Sequence, residues 1–430
     1  MIDTLVQLLK EAGVYGWEIS EVKTEGWEFY FIRHELDQNR VKSVEDISVR
    51  VYQLVEDGKF LGSASARIAP TASREEAAQL VRDLAYRATL VKNRPYTLQP
   101  RTEAHETSPA HEAIDLKAIA GEFIRTVKNL PETAGEDINS YEIFVSAKTR
   151  RFLNSEGIDV EERYPSSMLE IVVNARKDGH EIEIYRNYLS GTCDAEGLQR
   201  DLARTMQYGK DRLLAQPTPK LGKADVLFSG RDATNIYDYF VERLSAQMIV
   251  RRMSDWELGK PIAEDIRGDR VTLCSVREMK NSSENRAFDA DGAPIRDAVL
   301  LRESVPVEFV GNRMFASYLG LENSFMPGNI LAEGGSRSGE ELRRQGKYLE
   351  VVEFSDFQVD SMTGDIFGEI RLGYWHDGDK VTPVSGGSIS GSMSDFVREM
   401  YMSRESVQYN EYRIPALTLL KNVTVTGVTE

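Results

Sequence analysis

Apolar spacing between Ala233 and Met248 predicts an amphipathic helix, and that helix carries Asp238, Tyr239, Glu242 and Arg243. Asp238 and Glu242, four residues apart, share a helix face, and carboxylate oxygens can ligate a divalent ion. A zinc site asks for three or four imidazole, thiolate or carboxylate donors, so two carboxylates alone fit better as solvated charges. Arg243 cannot be a ligand, because a guanidinium stays protonated and offers no lone pair. No metal is assigned to this helix, and no residue of the chain receives a catalytic or cofactor-binding role.

Other stretches carry weaker signals. Gly334-Gly335-Ser336-Arg337-Ser338-Gly339-Glu340-Glu341 has the look of a phosphate-cradling loop before a helix. The lysine of such a loop is missing, and its two glutamates would repel phosphate. Ser338 as N-cap with Glu341 as its capping-box partner explains the same letters. Residues 386–392 are serine-rich, yet a serine nucleophile needs a nearby base. None of the five histidines (His34, His105, His111, His180 and His376) has a readable partnership with them. His105 and His111 fall in the polar, proline-containing stretch 94–112, expected to be a solvated surface loop. His376 belongs to Trp375-His376-Asp377-Gly378-Asp379, where the acids read as turn residues.

The first half opens with a helix whose Leu5, Leu8 and Leu9 share a face. Strands are predicted at 27–33, 46–54 and 60–68, the last two joined through Asp57-Gly58, and at 141–149. Helices are predicted at 73–88, where Ser73 and Glu76 form a capping box, and at 115–130. A hairpin pairs 168–176 with 181–189 through Lys177-Asp178-Gly179, and a helix spans 194–215. Gln216-Pro217-Thr218-Pro219 marks a boundary, giving domains of 1–215 and 216–430. The second half begins with a strand at 224–228 and is strand-rich thereafter: 348–359, 365–375, 381–384 and 415–426, with a short helix at 394–402. Hairpins without repeated strand-helix alternation indicate an α+β fold with large, mainly antiparallel or mixed sheets flanked by helices.

The chain has 430 residues and a net charge of −16, from 53 basic and 69 acidic side chains. That balance disfavours nucleic acid and anionic lipid as partners. Cys193 and Cys274 are the only cysteines, so no disulfide framework is readable. An acid at position 3 argues against a signal peptide, and no apolar run reaches the roughly 20 residues of a membrane span. A cytoplasmic location is expected.

Taken in order, a series of segments resembles the TldD/PmbA family. They are Val226-Leu227-Phe228, Leu244-Ser245-Ala246, Phe288-Asp289-Ala290-Asp291-Gly292, Phe309-Val310-Gly311-Asn312-Arg313 and Ser317-Tyr318-Leu319. Asn329-Ile330-Leu331-Ala332-Glu333-Gly334-Gly335, Met362-Thr363-Gly364-Asp365-Ile366-Phe367, Pro383-Val384 and Ile389-Ser390-Gly391-Ser392 complete the series. Segments 48–52 and 61–65 match more loosely. In the metal-bearing branch of that family the helix carries two histidines five residues apart, with a glutamate directly after the first, and a cysteine further on. Aligned by their neighbours, those three helix positions read Asp238, Tyr239 and Arg243 here, and no cysteine follows Cys274. The chain thus looks like the TldE (PmbA) branch.

The resemblance implies a non-metal partner subunit of a zinc-dependent peptidase that processes or degrades small or unfolded peptides. Its partners would be a metal-bearing TldD-like sister and an extended peptide, with no cofactor of its own. The older family label, modulator of DNA gyrase, does not imply contact with DNA. The alternative is a stand-alone homodimer that binds peptides or another protein without catalysis. Free strand edges in the second half could accept a peptide by β-augmentation in either case.

Overall fold

The structure is a computed structural model that describes residues 1–106, 113–133, 135–344 and 346–428. Its first half is built on one antiparallel sheet of β1 (Gly16–Ile32), β2 (Glu35–Val55), β3 (Phe60–Ile68), β4 (Glu136–Asn154), β5 (Asp159–Lys177) and β6 (His180–Ser190). The order across it is β3-β2-β1-β4-β5-β6. Helices α1 (Ile2–Glu11) and α2 (Arg74–Ala88) bury Leu5, Leu9, Val81 and Leu84 against Ile19, Ile47, Val49 and Val51. Helices α3 (Leu116–Lys128) and α4 (Ala195–Leu214) bury Phe123, Val127, Leu198 and Leu202 against Ile143, Val145, Leu169 and Ile171. Each such aliphatic side chain contributes about 1.5–3 kcal/mol when fully removed from water.

Local signals are realised where they are strongest. Ser73 accepts from the Glu76 amide and Glu76 from the Ser73 amide, closing the capping box of α2. At the β5–β6 hairpin Asp178 has φ 51° and Gly179 φ 81°. That is the conformation a two-residue turn needs for the twist of its strands, and Asp-Gly tolerates it.

Four predicted strands prove much longer: β1 runs 17 residues, β2 runs 21, and β4 and β5 run 19 each. In β2, residues 35–44 are all exposed, so no buried face imprints an alternation on the sequence.

The second half contains a closed ring of strands. β7 (Gln216–Pro217) precedes β8 (Gly222–Phe228), which pairs in parallel with Lys347–Val359 and antiparallel with Thr418–Thr426. Lys347–Val359 pairs with Asp365–Asp377, that strand with Ser388–Ser392, and Ser388–Ser392 with Thr418–Thr426. Closure leaves these five strands few free edges. A second, six-stranded sheet (outermost strands Val305–Pro306 and Ser406–Tyr409) packs against the same core. The architecture is α+β, with a strand-rich C-terminal half.

The predicted helix at 233–248 is interrupted. The helix α5 (Thr234–Arg243) ends as Ser245, extended at ψ 135°, caps a separate turn, Ala246–Val250, by accepting from the Met248 amide. The predicted helix at 394–402 also changes: helix persists only over Met393–Phe396. Met400–Met402 is instead a strand paired with 418–420, which buries Met400 and Met402.

Candidate functional site

The helix α5 buries Ile236, Tyr237 and Phe240 in the core with Val226, Phe228 and Val351, which fixes where its polar side chains emerge. Asp238 accepts a hydrogen bond from the Tyr412 hydroxyl. Burial, with the nearby Glu242 and Glu411 charges, pushes the Asp238 carboxyl pKa up. Glu242 is exposed. The two carboxylates gain no third donor: among the described residues no group of three or more His, Cys, Asp and Glu side chains could hold a metal.

Tyr239 is buried, its ring edge-on to Trp256 with centroids 6.1 Å apart. Arg243 is also buried and acts as a strut. Its Nη1 donates to the carbonyls of Met253 at 2.9 Å, Met362 at 3.3 Å and Ser361 at 3.5 Å. Its Nη2 binds Asp255, and the guanidinium lies 5.3 Å from the centre of the Trp256 ring. One cation thereby ties α5 to the 253–256 loop and to the turn joining Lys347–Val359 to Asp365–Asp377. Asp360 shapes that turn by accepting from the Met362 and Thr363 amides, both at 2.8 Å. The donor set at Asp238, Tyr239 and Arg243 does not fit zinc: one carboxylate is engaged, one phenol is packed and one cation is bonded to carbonyls.

The remaining sequence candidates are placed elsewhere. Ser338 and Glu341 form the expected capping box of the short helix Gly339–Arg343. His376 stacks on Tyr348, ring centroids 4.2 Å apart, and burial lowers its pKa. Within the serine-rich segment, Ser392 exchanges a hydrogen bond of 2.8 Å with Ser394.

His105 is not in a solvated loop. It is buried, stacked on Phe288 at 5.2 Å, with Nε2 2.8 Å from the Gly292 carbonyl. The contact that buries it comes from the other half of the chain, which no local pattern announces. His111 lies outside the described residues.

Sequence reasoning missed a cleft between the two halves. A cavity of about 340 Å³ is walled by β6, α4, the segment after β8, and residues around Glu353 and Tyr409. Arg186 bridges the halves by donating to Glu353 at 3.1 Å. Arg231 donates to the Asn187 carbonyl at 2.7 Å, and Asp232 accepts from the Phe354 amide at 3.2 Å. Burial raises the pKa of Asp201 and of Asp232. The second carboxylate oxygen of Glu353 is buried without a hydrogen-bond partner. An adjoining cavity, also bordered by Arg204, Tyr208, Ser229 and Tyr409, reaches the bidentate Arg343–Glu350 pair, at 2.6 and 3.0 Å. Convergent charges and tyrosines in one concave space mark the default ligand site of an α+β protein.

Residues 221–427 match the family model of the PmbA/TldA metallopeptidase C-terminal domain. This second half is thus similar to the C-terminal domain of PmbA/TldA metallopeptidases. TldE from Thermococcus kodakarensis is similar in fold, with a TM-score of 0.79 at 17% identity over 99% of this chain and 100% of its own. A protein provisionally named a modulator of a DNA gyrase, from Thermotoga maritima MSB8, superimposes with a TM-score of 0.76 at 18% identity, covering 99% of both chains. A similarly named protein from Bacteroides thetaiotaomicron VPI-5482 gives 0.77 at 16% identity, over 99% of this chain and 98% of its own. No curated protein sequence matches. Among the described residues, no helix is long and apolar enough to cross a membrane.

Proposed function

We propose that this chain is the non-metal subunit of a TldD/TldE-type peptidase, holding extended peptide while a metal-bearing sister chain supplies zinc and its activated water. The observation that carries the reading is Arg243. At the position where the metal-bearing branch has its second histidine stands a buried cation bonded to the Met253, Ser361 and Met362 carbonyls. A fixed positive charge repels a second cation and supplies no lone pair.

The cleft between the halves supports the peptide part of the proposal. Its volume of about 340 Å³ is at the lower end for small-ligand sites. Its cations and carboxylates suit a ligand that carries both an ammonium and a carboxylate. In this role the chain contributes walls and orientation, and no proton-transfer step is assigned to its residues.

The test is reconstitution. Peptide hydrolysis is measured for this chain alone, for the sister alone and for the co-expressed pair, on unfolded and folded substrates. Activity only in the pair, restricted to unfolded substrates, supports the reading; hydrolysis by the lone chain contradicts it.

The second reading, a stand-alone homodimeric binding protein in the cytoplasm, is favoured by one observation: the exposed outer edge of β2.

A further inference from the structure

The four helices of the first half all pack on one face of its sheet, against Ile19, Ile47, Ile143 and Leu169. The opposite face carries the even-numbered residues of β4 and β5, and the second half of the chain covers one end of it. There Phe288 packs on Phe152, Ile158 and Val160, and Arg150 donates to the Phe288 carbonyl at 3.1 Å. At the margin of that cover the strand register assembles a crease. Lys148 of β4 stands between Thr24 of β1 and Tyr164 of β5. One two-residue step along, Ser146 stands between Gly26 and Ser166, and Gly26 faces Lys42 of β2. Small side chains thus floor a space rimmed by long ones. Arg286 enters from the covering segment, its guanidinium 5.4 Å from the centre of the Tyr164 ring and bonded to Glu284.

Three cations meet here, and only Arg286 is matched. Lys148 is half-buried, and the charges that face it are those of Arg286 and Lys42, with no carboxylate among them. Burial and these two like charges push its pKa down. Neither lysine has a hydrogen-bond or ion-pair partner among the described residues. The flanking acids are already engaged. Glu162 accepts from the Ala287 amide at 2.8 Å; Glu28 stands opposite Arg40 and accepts from Tyr30 at 3.0 Å. Holding an ammonium partly out of water beside two like charges costs stability. Uncompensated charge of this kind is concentrated at functional sites. On a chain of net charge −16, such a local positive field suits an anion supplied from outside.

We propose that this crease is a carboxylate-binding subsite for extended peptides, seating two acidic side chains at alternate positions of one chain. The inference rests on the peptide-holding reading above and names the sequence class it favours. Lys42 and Lys148 are two strands and one two-residue step apart. Their Cα atoms are therefore roughly 12 Å apart, at ~4.8 Å per strand and ~3.3 Å per residue. Positions i and i+2 of an extended peptide project from one side ~6.6 Å apart, and inward-reaching lysine side chains close the difference. A compact dianion such as phosphate calls instead for a bidentate guanidinium. Arg286 spends Nη2 on Glu284 and buries Nε, which leaves no free pair of donors for that role.

The experiment is calorimetric titration of the full chain with an unfolded Gly/Ser peptide of about ten residues carrying Glu-Ser-Glu. Its Gln-Ser-Gln counterpart and inorganic phosphate are titrated beside it. The Glu peptide is expected to bind about tenfold or more tightly than either, and less tightly at high salt. Lys148→Met should weaken it about tenfold. The thermal midpoint of that variant should hold or rise, because a half-buried charge facing only cations is gone. Lys148→Arg should keep binding within a few-fold. Equal binding of the Glu and Gln peptides overturns the proposal, as does tighter binding of phosphate. So does unchanged binding by Lys148→Met, or a lowered thermal midpoint, which would mark Lys148 as structural. No sister chain enters the titration, so its failure leaves the peptidase reading, tested by reconstitution, standing.

Discussion

Replacing Arg243 by methionine probes whether this cation is a structural strut. The side chain keeps its volume and loses its donors. Of its three carbonyl contacts only that to Met253, at 2.9 Å, has full strength; those to Met362 and Ser361 are 3.3 and 3.5 Å. A hydrogen bond to a charged group contributes about 1.5–3 kcal/mol net. The Trp256 contact at 5.3 Å adds ~0.5–1 kcal/mol. Asp255 is 89% exposed at its side chain, so that ion pair contributes little. Against these gains stands the cost of holding a guanidinium out of water with its Nε unpaired. The balance is a loss of about 2 kcal/mol on substitution. It should appear in urea as a lower unfolding midpoint at unchanged slope. Arg243→Lys, which keeps the charge without the planar fork, should fall between the two. A methionine variant as stable as wild type, or more stable, would refute the strut.

Other expectations concern stability and metal affinity. Burial and the Asp291 charge raise the Glu18 carboxyl from 4.5 to about 7, so the folded state binds that proton more tightly than the unfolded chain. Stability should therefore fall as pH rises from about 4.5 to 7, by roughly 3 kcal/mol from this group. Glu18→Gln should remove that part of the slope in denaturant midpoints measured at pH 5 and pH 8; an unchanged slope would contradict the assignment. Leu202→Ala in α4, at a fully buried position, should cost about 2–5 kcal/mol in the same assay. Writing the motif back in, as Asp238→His/Tyr239→Glu/Arg243→His, should lower stability because a carboxylate enters the slot against Trp256. Elemental analysis of that triple variant should still find substoichiometric zinc, since no cysteine is supplied.

What was legible in the sequence follows how local its cause is. The Ser73–Glu76 capping box and the Asp178-Gly179 turn are settled within four residues, and both stand as read. Residues 35–44 of β2 were invisible because a strand exposed on both faces leaves no period to detect. His105 was misplaced because Gly292, 187 positions away, provides its acceptor. The break of α5 at Leu244 and Ser245 depends on Ser245 pairing with Val310, again a distant partner.

At the candidate site, the chemistry of single residues was readable: an arginine cannot ligate zinc in any fold. The use made of that arginine, and the cleft that α4 forms with residues around Glu353, are products of chain folding across the two halves. No spacing rule joins Arg186 to Glu353, 167 positions apart.

The central claim is that α5 cannot hold a metal in this chain. Zinc should be measured by elemental analysis of the purified chain after loading with excess zinc and exhaustive dialysis, beside the co-expressed pair treated identically. The account predicts zinc only in the pair, at one ion per sister subunit. One tightly held ion per copy of the lone chain, lost on changing Asp238 to alanine, would contradict it.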